Sequence, residues 1–272
     1  MVAQLAPICY SGGMIKTAEK LAGDKLVQDL FKVGAHYGFS RSLRHPSVKN
    51  FIFGFKNRGT IIDLGKASES LKIAGEFLHK LGSEDKMVLM VGSKAEARVA
   101  VESLGERLAL PYVINRWIGG TLTNYPEIKK RITRLQELTE KRQTGGFDGH
   151  TKKERLLFDR EIAKLERYFS KLIPLTRLPD ALLAVDSKAE EIAVAEATKL
   201  GIPVISLSGT DCDINKIAYP IVVNDSALSG IKFMLEELMK AYQAGKTAGV
   251  LARAEQAEKI EKEKEEVIAE VK

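Results

Sequence analysis

The segment Arg116 to Asn124, RWIGGTLTN, is denser in polar groups than a core segment would be. An arginine and a tryptophan stand side by side, two glycines allow close backbone approach, and Thr121, Thr123 and Asn124 add hydroxyl and amide groups. Such a loop suits contact with the sugars and phosphates of a nucleic acid. The alternative is a tight strand-to-helix turn in which Trp117 packs inward and Asn124 or Thr123 caps the next helix. Both interpretations can hold together.

Positive charge is concentrated in two parts of the chain. The 272 residues carry a net charge of +6, and residues 1–60 hold nine Lys or Arg against three acids, with no carboxylate between Asp29 and Asp63. Residues 123–177 hold fourteen cations against eight acids, whereas residues 178–252 have a net charge of −4. Positive charge that is segregated in this way favours a polyanionic partner.

Short apolar runs alternate with segments of helix length. They predict strands at 60–64, 87–91, 111–114, 181–186, 202–207 and 219–223, and helices at 66–82, 94–107, 188–200 and 226–244. Most of the runs are apolar on both faces, which is typical of a parallel sheet covered by helices on both sides. The expected fold class is α/β, a three-layer, flavodoxin-like, doubly wound parallel sheet.

About sixty residues between the third and fourth predicted strands interrupt this alternation. Apolar residues recur at helical spacing on both sides of the glycine-rich sequence TGGFDG, at Ile128, Ile132, Leu135 and Leu138, then at Phe158, Ile162, Leu165, Phe169 and Leu172. The pattern predicts an inserted α-helical coiled-coil hairpin at residues 126–172. Its polar face is basic and suits phosphate contact. The alternative is a face that only improves solubility.

The composition is that of a globular chain. With 44% hydrophobic residues it can bury a sizeable core. It contains no apolar run near the roughly 18 residues of a membrane span, and its N-terminus lacks a basic start followed by an apolar run, so a cytoplasmic location is expected. Two cysteines, Cys9 and Cys212, are too few for a disulfide framework and are expected to be reduced thiols.

An α/β enzyme that binds a phosphorylated small molecule is the competing hypothesis, because sheets of this kind bind anions beyond their strand ends. VGSK, SLSGTD and GGTLTN would be its phosphate loops. None of them fits a specific nucleotide-binding pattern, and four histidines and two cysteines give no arguable catalytic set. The sequence therefore predicts a protein that is not an enzyme.

A divalent cation site is a narrower hypothesis. His36, Asp186 and either Asp211 or Asp213 would supply one nitrogen and two oxygen ligands if their loops converged at the sheet edge. The alternative is that the aspartates cap helices or turns and that His36 bonds to backbone. No other cofactor is expected.

Several ordered motifs together resemble the bacterial form of the ribosomal protein S2 family. They extend from about Phe31 to Lys246 and read GAHYGFSRSLRHP, FIFGFKNRGTIIDL, VGSK, RWIGGTLTN, TKKE, LPDALLAVD, KLGIPVISLSGTDCD and YPIVVND. The resemblance implies a structural constituent of the small ribosomal subunit. Such a protein binds small-subunit ribosomal RNA near the junction of head and body, and supports subunit assembly, translation and docking of the large messenger-binding ribosomal protein. Neighbouring ribosomal proteins are implied partners, and no membrane or small-molecule substrate is expected.

Two RNA contact surfaces follow from the resemblance and the charge map together, because cations neutralise phosphates and folded RNA is recognised through its shape. The first comprises Arg41, Arg44, His45, Lys49, Lys56 and Arg58. The second comprises Arg116, Trp117, Thr121, Asn124, Lys129, Lys130, Arg131, Arg134, Lys152, Lys153 and Arg155.

Three units are expected along the chain. Residues 1–23 form an N-terminal extension that orders only on its particle, and residues 24–246 form the RNA-binding α/β domain with its hairpin. Residues 247–272 form a charged helical tail, solvated and laced with Glu–Lys pairs, whose acidity argues against direct RNA contact.

Overall fold

A computed structural model describes residues 25–147 and 149–270, with side chains as far as Ala254. Its helices are α1 Lys25–Lys32, α2 Leu64–Ser83, α3 Ala95–Leu108, α4 Tyr125–Gln143, α5 Lys152–Phe169, α6 Glu191–Lys199 and α7 Leu228–Glu270. Its strands are β1 Tyr37–Ser40, β2 Ile52–Lys56, β3 Gly59–Ile62, β4 Val88–Val91, β5 Tyr112–Val113, β6 Ala181–Val185, β7 Val204–Ser208 and β8 Tyr219–Val222. Short 3-10 helices cover Pro46–Phe51 and Ser170–Leu172.

Five parallel strands form the main sheet, in the order β5-β4-β6-β7-β8. The first strand in sequence, β4, lies between the second and the third, which is the strand order of flavodoxin-like sheets. The predicted fold class is confirmed. The order reverses between β4 and β6, and the loops that leave these two strands diverge to opposite faces of the sheet. In this topology a crevice forms at that point, beyond the carboxyl ends of the strands.

Both faces of the main sheet are buried, which explains why its strands are apolar throughout. Along β4, Val88 and Met90 pack with α2, α3 and α7, while Leu89 and Val91 pack with α4, α5 and α6. Successive side chains of a strand point to opposite faces, so each strand contributes to two apolar layers. The result is the expected three-layer arrangement.

A second, smaller sheet contains a strand that was predicted to belong to the main sheet. Residues 59–62 form β3, which pairs antiparallel with β1 and β2 in the order β1-β3-β2. The prediction that 60–64 belongs to the parallel sheet is therefore wrong. Asp63 instead caps α2, its Oδ1 accepting hydrogen bonds from the amides of Gly65 and Lys66 at 2.9 and 3.5 Å, a contribution of about 1 kcal/mol.

Glycines let α2 and α7 approach each other closely. A Cβ atom on Gly245 would lie 2.0 Å from the His79 carbonyl oxygen, and one on Gly249 would lie 2.2 Å from that of Ser83. On the other helix, a Cβ on Gly82 would lie 2.2 Å from the Tyr242 carbonyl oxygen. These distances are far below van der Waals contact, so backbone packs on backbone along this seam.

The insert between β5 and β6 consists of α4 and α5, as predicted, and its apolar positions are buried at Ile128, Ile132, Leu135, Leu138, Ile162 and Phe169. The ion pairs between the two helices join Arg134 to Glu161 at 3.3 Å and Arg142 to Glu166 at 3.7 Å. Arg142 lies closer than Arg134 to the loop that connects the two helices, but its partner Glu166 lies farther than Glu161 from that loop. In a regular antiparallel pair, a residue closer to the loop on one helix would face a residue closer to the loop on the other. The coiled-coil geometry stays a prediction.

The two ends differ in what is described. The predicted N-terminal extension, residues 1–23, and Cys9 lie outside the described residues. Cys212 is a free, buried thiol, and burial raises its pKa to about 11. α7 runs without interruption from Leu228 to Glu270, across the boundary predicted at residue 247 and past the helix end predicted at residue 244.

Candidate nucleic-acid interface

A buried ion cluster occupies the carboxyl edge of the main sheet where the strand order reverses. Lys94 follows β4, and its Nζ lies 3.2 Å from Oδ2 of Asp186, after β6, and 2.9 Å from Oδ2 of Asp225, after β8. Asp225 is only 1% exposed. A lysine side chain and two carboxylates thus lie where an enzyme of this topology would admit a ligand.

The pKa shifts of this cluster follow from burial and from its hydrogen bonds. Burial raises the pKa of Asp225 more than Lys94 lowers it. Burial also acts to raise the pKa of Asp186, but the backbone amides of Ala189 and Lys188, together with Lys94, bring it below its ordinary value. Burial lowers the pKa of Lys94, and the two carboxylates raise it by more. A charged lysine between two buried acids joins the ends of three strands. Its role is structural, since removing one partner would leave buried charge uncompensated.

The RWIGGTLTN loop wraps around one buried carboxylate, that of Glu196 on α6. Its Oε1 accepts from the Trp117 indole at 3.2 Å and from the Gly120 amide at 2.7 Å. Its Oε2 accepts from the amides of Leu122 and Thr123 at 2.9 and 3.2 Å. Gly120 has φ +90°, a conformation that side chains disfavour. Burial raises the pKa of Glu196, but these donors together lower it below its ordinary value.

This arrangement divides the loop into inward and outward residues. Trp117 is 5% exposed and Thr121 is 2% exposed, and the Thr121 hydroxyl donates to the Ile118 carbonyl at 2.6 Å. Arg116 and Asn124 are exposed. The turn interpretation therefore holds for Trp117, while the side chain of Asn124 makes no capping hydrogen bond to α4. Of the four contact residues predicted in this loop, Arg116 and Asn124 are the two that are exposed.

The first predicted surface lies on and beside the small sheet. Phe53 and Phe55 are exposed on β2, and the guanidinium carbons of Arg41 and Arg44 lie 5.2 and 5.7 Å from the centre of the Phe55 ring. Arg41, Lys49, Lys56 and Arg58 are exposed, and Arg44 and His45 are partly exposed. The structure thus places Arg41 and Arg44 beside Phe55 of β2, and neither β2 nor β3 contains a carboxylate.

Two members of this surface also have local structural roles. Arg58 has φ +67° beside Asn57 at φ +49°, the positive values of a tight two-residue turn between β2 and β3. The Nδ1 atom of His45 accepts from the Ser47 amide at 3.3 Å and so caps the 3-10 helix Pro46–Phe51. The same atom lies 3.8 Å from Oδ1 of Asp213.

The cations of the inserted helices α4 and α5 form a second exposed surface. Lys129, Lys130 and Arg134 line an open groove of about 570 Å³ along α4. Lys130 pairs with Glu127 at 2.6 Å, and Nε of Arg155 donates to the His150 carbonyl at 3.0 Å. The seven predicted cations are all exposed: Lys129, Lys130, Arg131, Arg134, Lys152, Lys153 and Arg155. Exposed ion pairs contribute little energy, so these side chains are available to an anionic partner.

The four predicted metal ligands are not gathered into one site. Asp186 faces Lys94, Asp211 pairs with Lys188 at 2.8 Å, and Asp213 lies beside His45. The His36 ring stacks between Phe31 and Tyr37, at centroid distances of 4.6 and 4.0 Å. Within the described residues, no three His, Cys, Asp or Glu side chains are arranged to hold a metal ion. The proposed cation gains no support from this geometry.

Sequence reasoning missed Glu196 and the partners of Lys94. One signal for Glu196 was present: it lies three residues after Ala193 and next to Ala197, on the buried stripe of α6. An acid on an apolar stripe needs hydrogen-bond donors, and a loop rich in free amides is one source of them.

Fold and site together define a class. An α/β sheet whose ligand crevice contains a structural ion cluster, with exposed cations on the small sheet and on the inserted helices, has a charge distribution that favours a polyanionic partner. The comparisons with known proteins are more specific.

The family model for ribosomal protein S2 matches residues 30–245. The small ribosomal subunit protein uS2 of Helicobacter hepaticus is 36% identical over 249 residues, which cover 90% of this chain and 94% of the relative. That of Sulfurimonas denitrificans is 39% identical over 220 residues, covering 81% and 85%. That of Nocardia farcinica is 40% identical over 228 residues, covering 84% and 79%.

The chain therefore belongs to the ribosomal protein S2 family, whose members are structural proteins of the small ribosomal subunit rather than enzymes. This confirms the resemblance drawn from the sequence motifs. Across the described part of the chain, no helix combines the length and the apolar character that a membrane span requires.

Proposed function

We propose that this chain is a structural constituent of the small ribosomal subunit in the cytoplasm, where it binds small-subunit ribosomal RNA near the junction of head and body. It supports subunit assembly and translation, and it contributes to docking of the large messenger-binding ribosomal protein. Neighbouring proteins of the subunit are its other partners. Family membership supports the general role, and the exposed cations support the contact surfaces.

The observation that carries the RNA contact is the placement of the cations. Arg41, Lys49, Lys56 and Arg58 are exposed on and beside the small sheet, in a stretch of the sequence without any carboxylate, and the seven predicted contact cations of the inserted helices are exposed as well. Each phosphate that such cations neutralise releases counterions, so the affinity falls as salt rises. The stretch between Asp29 and Asp63 has cations but no acid, an arrangement that exposed cations would not need if they only aided solubility.

Sucrose-gradient sedimentation of the tagged chain from a gentle lysate, tracked beside small-subunit RNA at low and high salt, tests this function. We expect the chain to comigrate with the RNA at low salt and to leave it progressively as salt rises. A light, free fraction at every salt concentration would contradict the proposal. The next experiment would then be a ligand screen of the GGTLTN and SGTD loops.

A further inference from the structure

A cavity of about 270 Å³ opens at the carboxyl edge of the main sheet, beside the point where the strand order reverses. Its lining comes from the loops that follow β4, β5 and β6 and from the first turns of α3 and α6, and includes Ser93, Arg98, Arg116, Trp117, Glu190 and Ile192. Its volume lies near the lower end of ligand pockets, about 300 Å³. It therefore admits one small unit and excludes a duplex.

Two arginines give the lining its charge. Nε of Arg98 donates to the Ser93 carbonyl at 2.8 Å, which orients the guanidinium at the start of α3. Neither Arg98 nor Arg116 belongs to an ion pair among the residues that the structure describes. Guanidinium groups bind phosphate oxygens through paired, charge-assisted hydrogen bonds.

One carboxylate opposes them. Glu190 is 2% exposed, and its Oε1 accepts from the Ser93 amide at 2.7 Å. Burial raises its pKa above the ordinary value, while the hydrogen bonds from Ser93 lower it by less. Two arginines and one largely buried acid leave the lining with a positive balance.

The remaining wall is apolar, which a site for a bare phosphate would not need. Ile192 lies at the rim and is 55% exposed, so it presents an apolar surface there. In the sequence it directly follows two charged residues. Trp117 forms the inner part of the wall. A nucleotide combines these two requirements, since its phosphate is anionic and its base has apolar faces that stack on aromatic and guanidinium planes.

We propose that this cavity binds one nucleotide unit, with the phosphate on Arg98 and Arg116 and the base and sugar against Ile192 and Trp117. The inference rests on the proposed function where the nucleotide belongs to an RNA strand. A free mononucleotide has the same chemistry, so the test must separate the two sources.

Trp117 is the only tryptophan of the chain and lines the cavity, so its fluorescence reports occupancy directly. The full chain is titrated with adenosine monophosphate, with a single-stranded oligoribonucleotide and with a duplex RNA of equal length. We expect a saturable change of Trp117 emission with the single strand. A change with adenosine monophosphate alone also supports the site and identifies a free nucleotide as its occupant.

Matched variants connect the signal to the cavity. Arg98→Gln is expected to weaken the response about tenfold, because it removes a charge-assisted hydrogen bond. Arg107→Gln removes the same charge from an exposed position on the same helix and should leave the response unchanged. Ile192→Glu adds a carboxylate at the exposed rim, where folding tolerates it, and should abolish the response.

The two failures are distinguishable. If the chain sediments with small-subunit RNA but Trp117 emission responds to none of the three probes or only to the duplex, the inference is wrong and the proposed function stands. Equal weakening by Arg98→Gln and Arg107→Gln would also overturn it. If the chain does not associate with the RNA, the proposed function fails, and a response to adenosine monophosphate would still support the cavity.

Discussion

Glu196 shows how one residue can organise a loop that lies far from it in the sequence. Its two oxygens accept from an indole and from three backbone amides of the segment 117–123. Without the carboxylate, the buried donors on Trp117 and Leu122 would lack partners, and each unsatisfied buried donor costs about 1–3 kcal/mol. The Glu196 carboxylate thus fixes the conformation of the loop that exposes Arg116 and Asn124.

Replacement of Glu196 by Gln should destabilise the fold by about 3 kcal/mol. The side chain keeps its shape, but the charge is lost and its NH2 group is directed at backbone donors. Urea unfolding of both proteins measures the difference. Glu191→Gln, an exposed change on the same helix, is the control and should shift stability by only about 0.5 kcal/mol. Equal effects of the two substitutions would show that the loop does not depend on this carboxylate.

The same residue gives a pH dependence with a defined sign. The hydrogen bonds lower the pKa of Glu196 below its ordinary value of 4.5, so the ionised form is favoured in the folded state. Its stabilisation is therefore complete above pH 4.5 and is lost as the pH falls toward the lower, folded pKa. The difference in unfolding free energy between the wild type and Glu196→Gln should shrink across that acidic range. Comparing the two proteins cancels the opposite contributions of Glu190 and Asp225, whose pKa values are raised.

At the scale of elements, the contact between α2 and α7 rests on the absence of side chains at Gly82, Gly245 and Gly249. Gly245→Ala should cost about 2 kcal/mol, because its Cβ would overlap the His79 carbonyl and the helices would have to separate. Gly230→Ala, in the same helix, is the control, since its Cβ would meet only ordinary contacts at 3.5 Å and beyond. That change should be neutral or stabilising by about 0.5–1 kcal/mol, because Ala favours helix. Thermal unfolding of both variants distinguishes packing from helix propensity.

The basic face of α4 allows a test by charge removal. Replacing Lys129, Lys130, Arg131 and Arg134 by Ala should leave the fold intact, since all four are exposed, while weakening association with small-subunit RNA and flattening its salt dependence. The slope of log affinity against log salt should fall by about 0.7–0.9 for each phosphate that the variant no longer neutralises.

A set of four exposed lysines from the acidic part of the chain is the control for charge alone: Lys199, Lys232, Lys240 and Lys246. Changing them to Ala removes the same charge and should have a smaller effect on both affinity and slope. Unchanged binding by the α4 variant, or equal weakening by both variants, would show that the inserted helices are not the contact surface.

Strands buried on both faces could be predicted from the sequence, whereas the strands of the small sheet, which leave one face exposed, could not. β4, β6 and β7 are apolar at nearly every position because two layers of helices cover them. β1 and β2 leave Tyr37, Phe53 and Phe55 exposed, so their apolar residues do not alternate with polar ones to mark a buried face. Residues 60–64 resembled a core strand because apolar residues occupy both faces of β3. The outward cations were predictable from residue type. The position of Glu196 on an apolar stripe was a signal, but it could not identify the partners, because Thr123 is 73 residues away in sequence.

At the scale of the whole molecule, charge is segregated along the chain. The small sheet and the inserted helices carry the positive excess, whereas residues 178–252 have a net charge of −4. A molecule of this kind is drawn to a polyanion in a preferred orientation, because its acidic part is repelled while its basic part is attracted. The last eighteen residues of the sequence, 255–272, contain seven acids and four lysines, and α7 extends through them as far as Glu270.

Removal of residues 255–272 tests whether that acidic end takes part in RNA contact. The truncation raises the net charge from +6 to +9, so association with small-subunit RNA at low salt should be unchanged or tighter. Stability should not fall, because the close approach of α7 to α2 lies at Gly245 and Gly249, and Arg253, whose Nη1 lies 3.7 Å from Oδ2 of Asp85, is retained. Filter binding across a salt series, paired with thermal unfolding, measures both. Weaker association at unchanged stability would contradict this prediction and would show that the acidic end contributes to the RNA contact despite its charge.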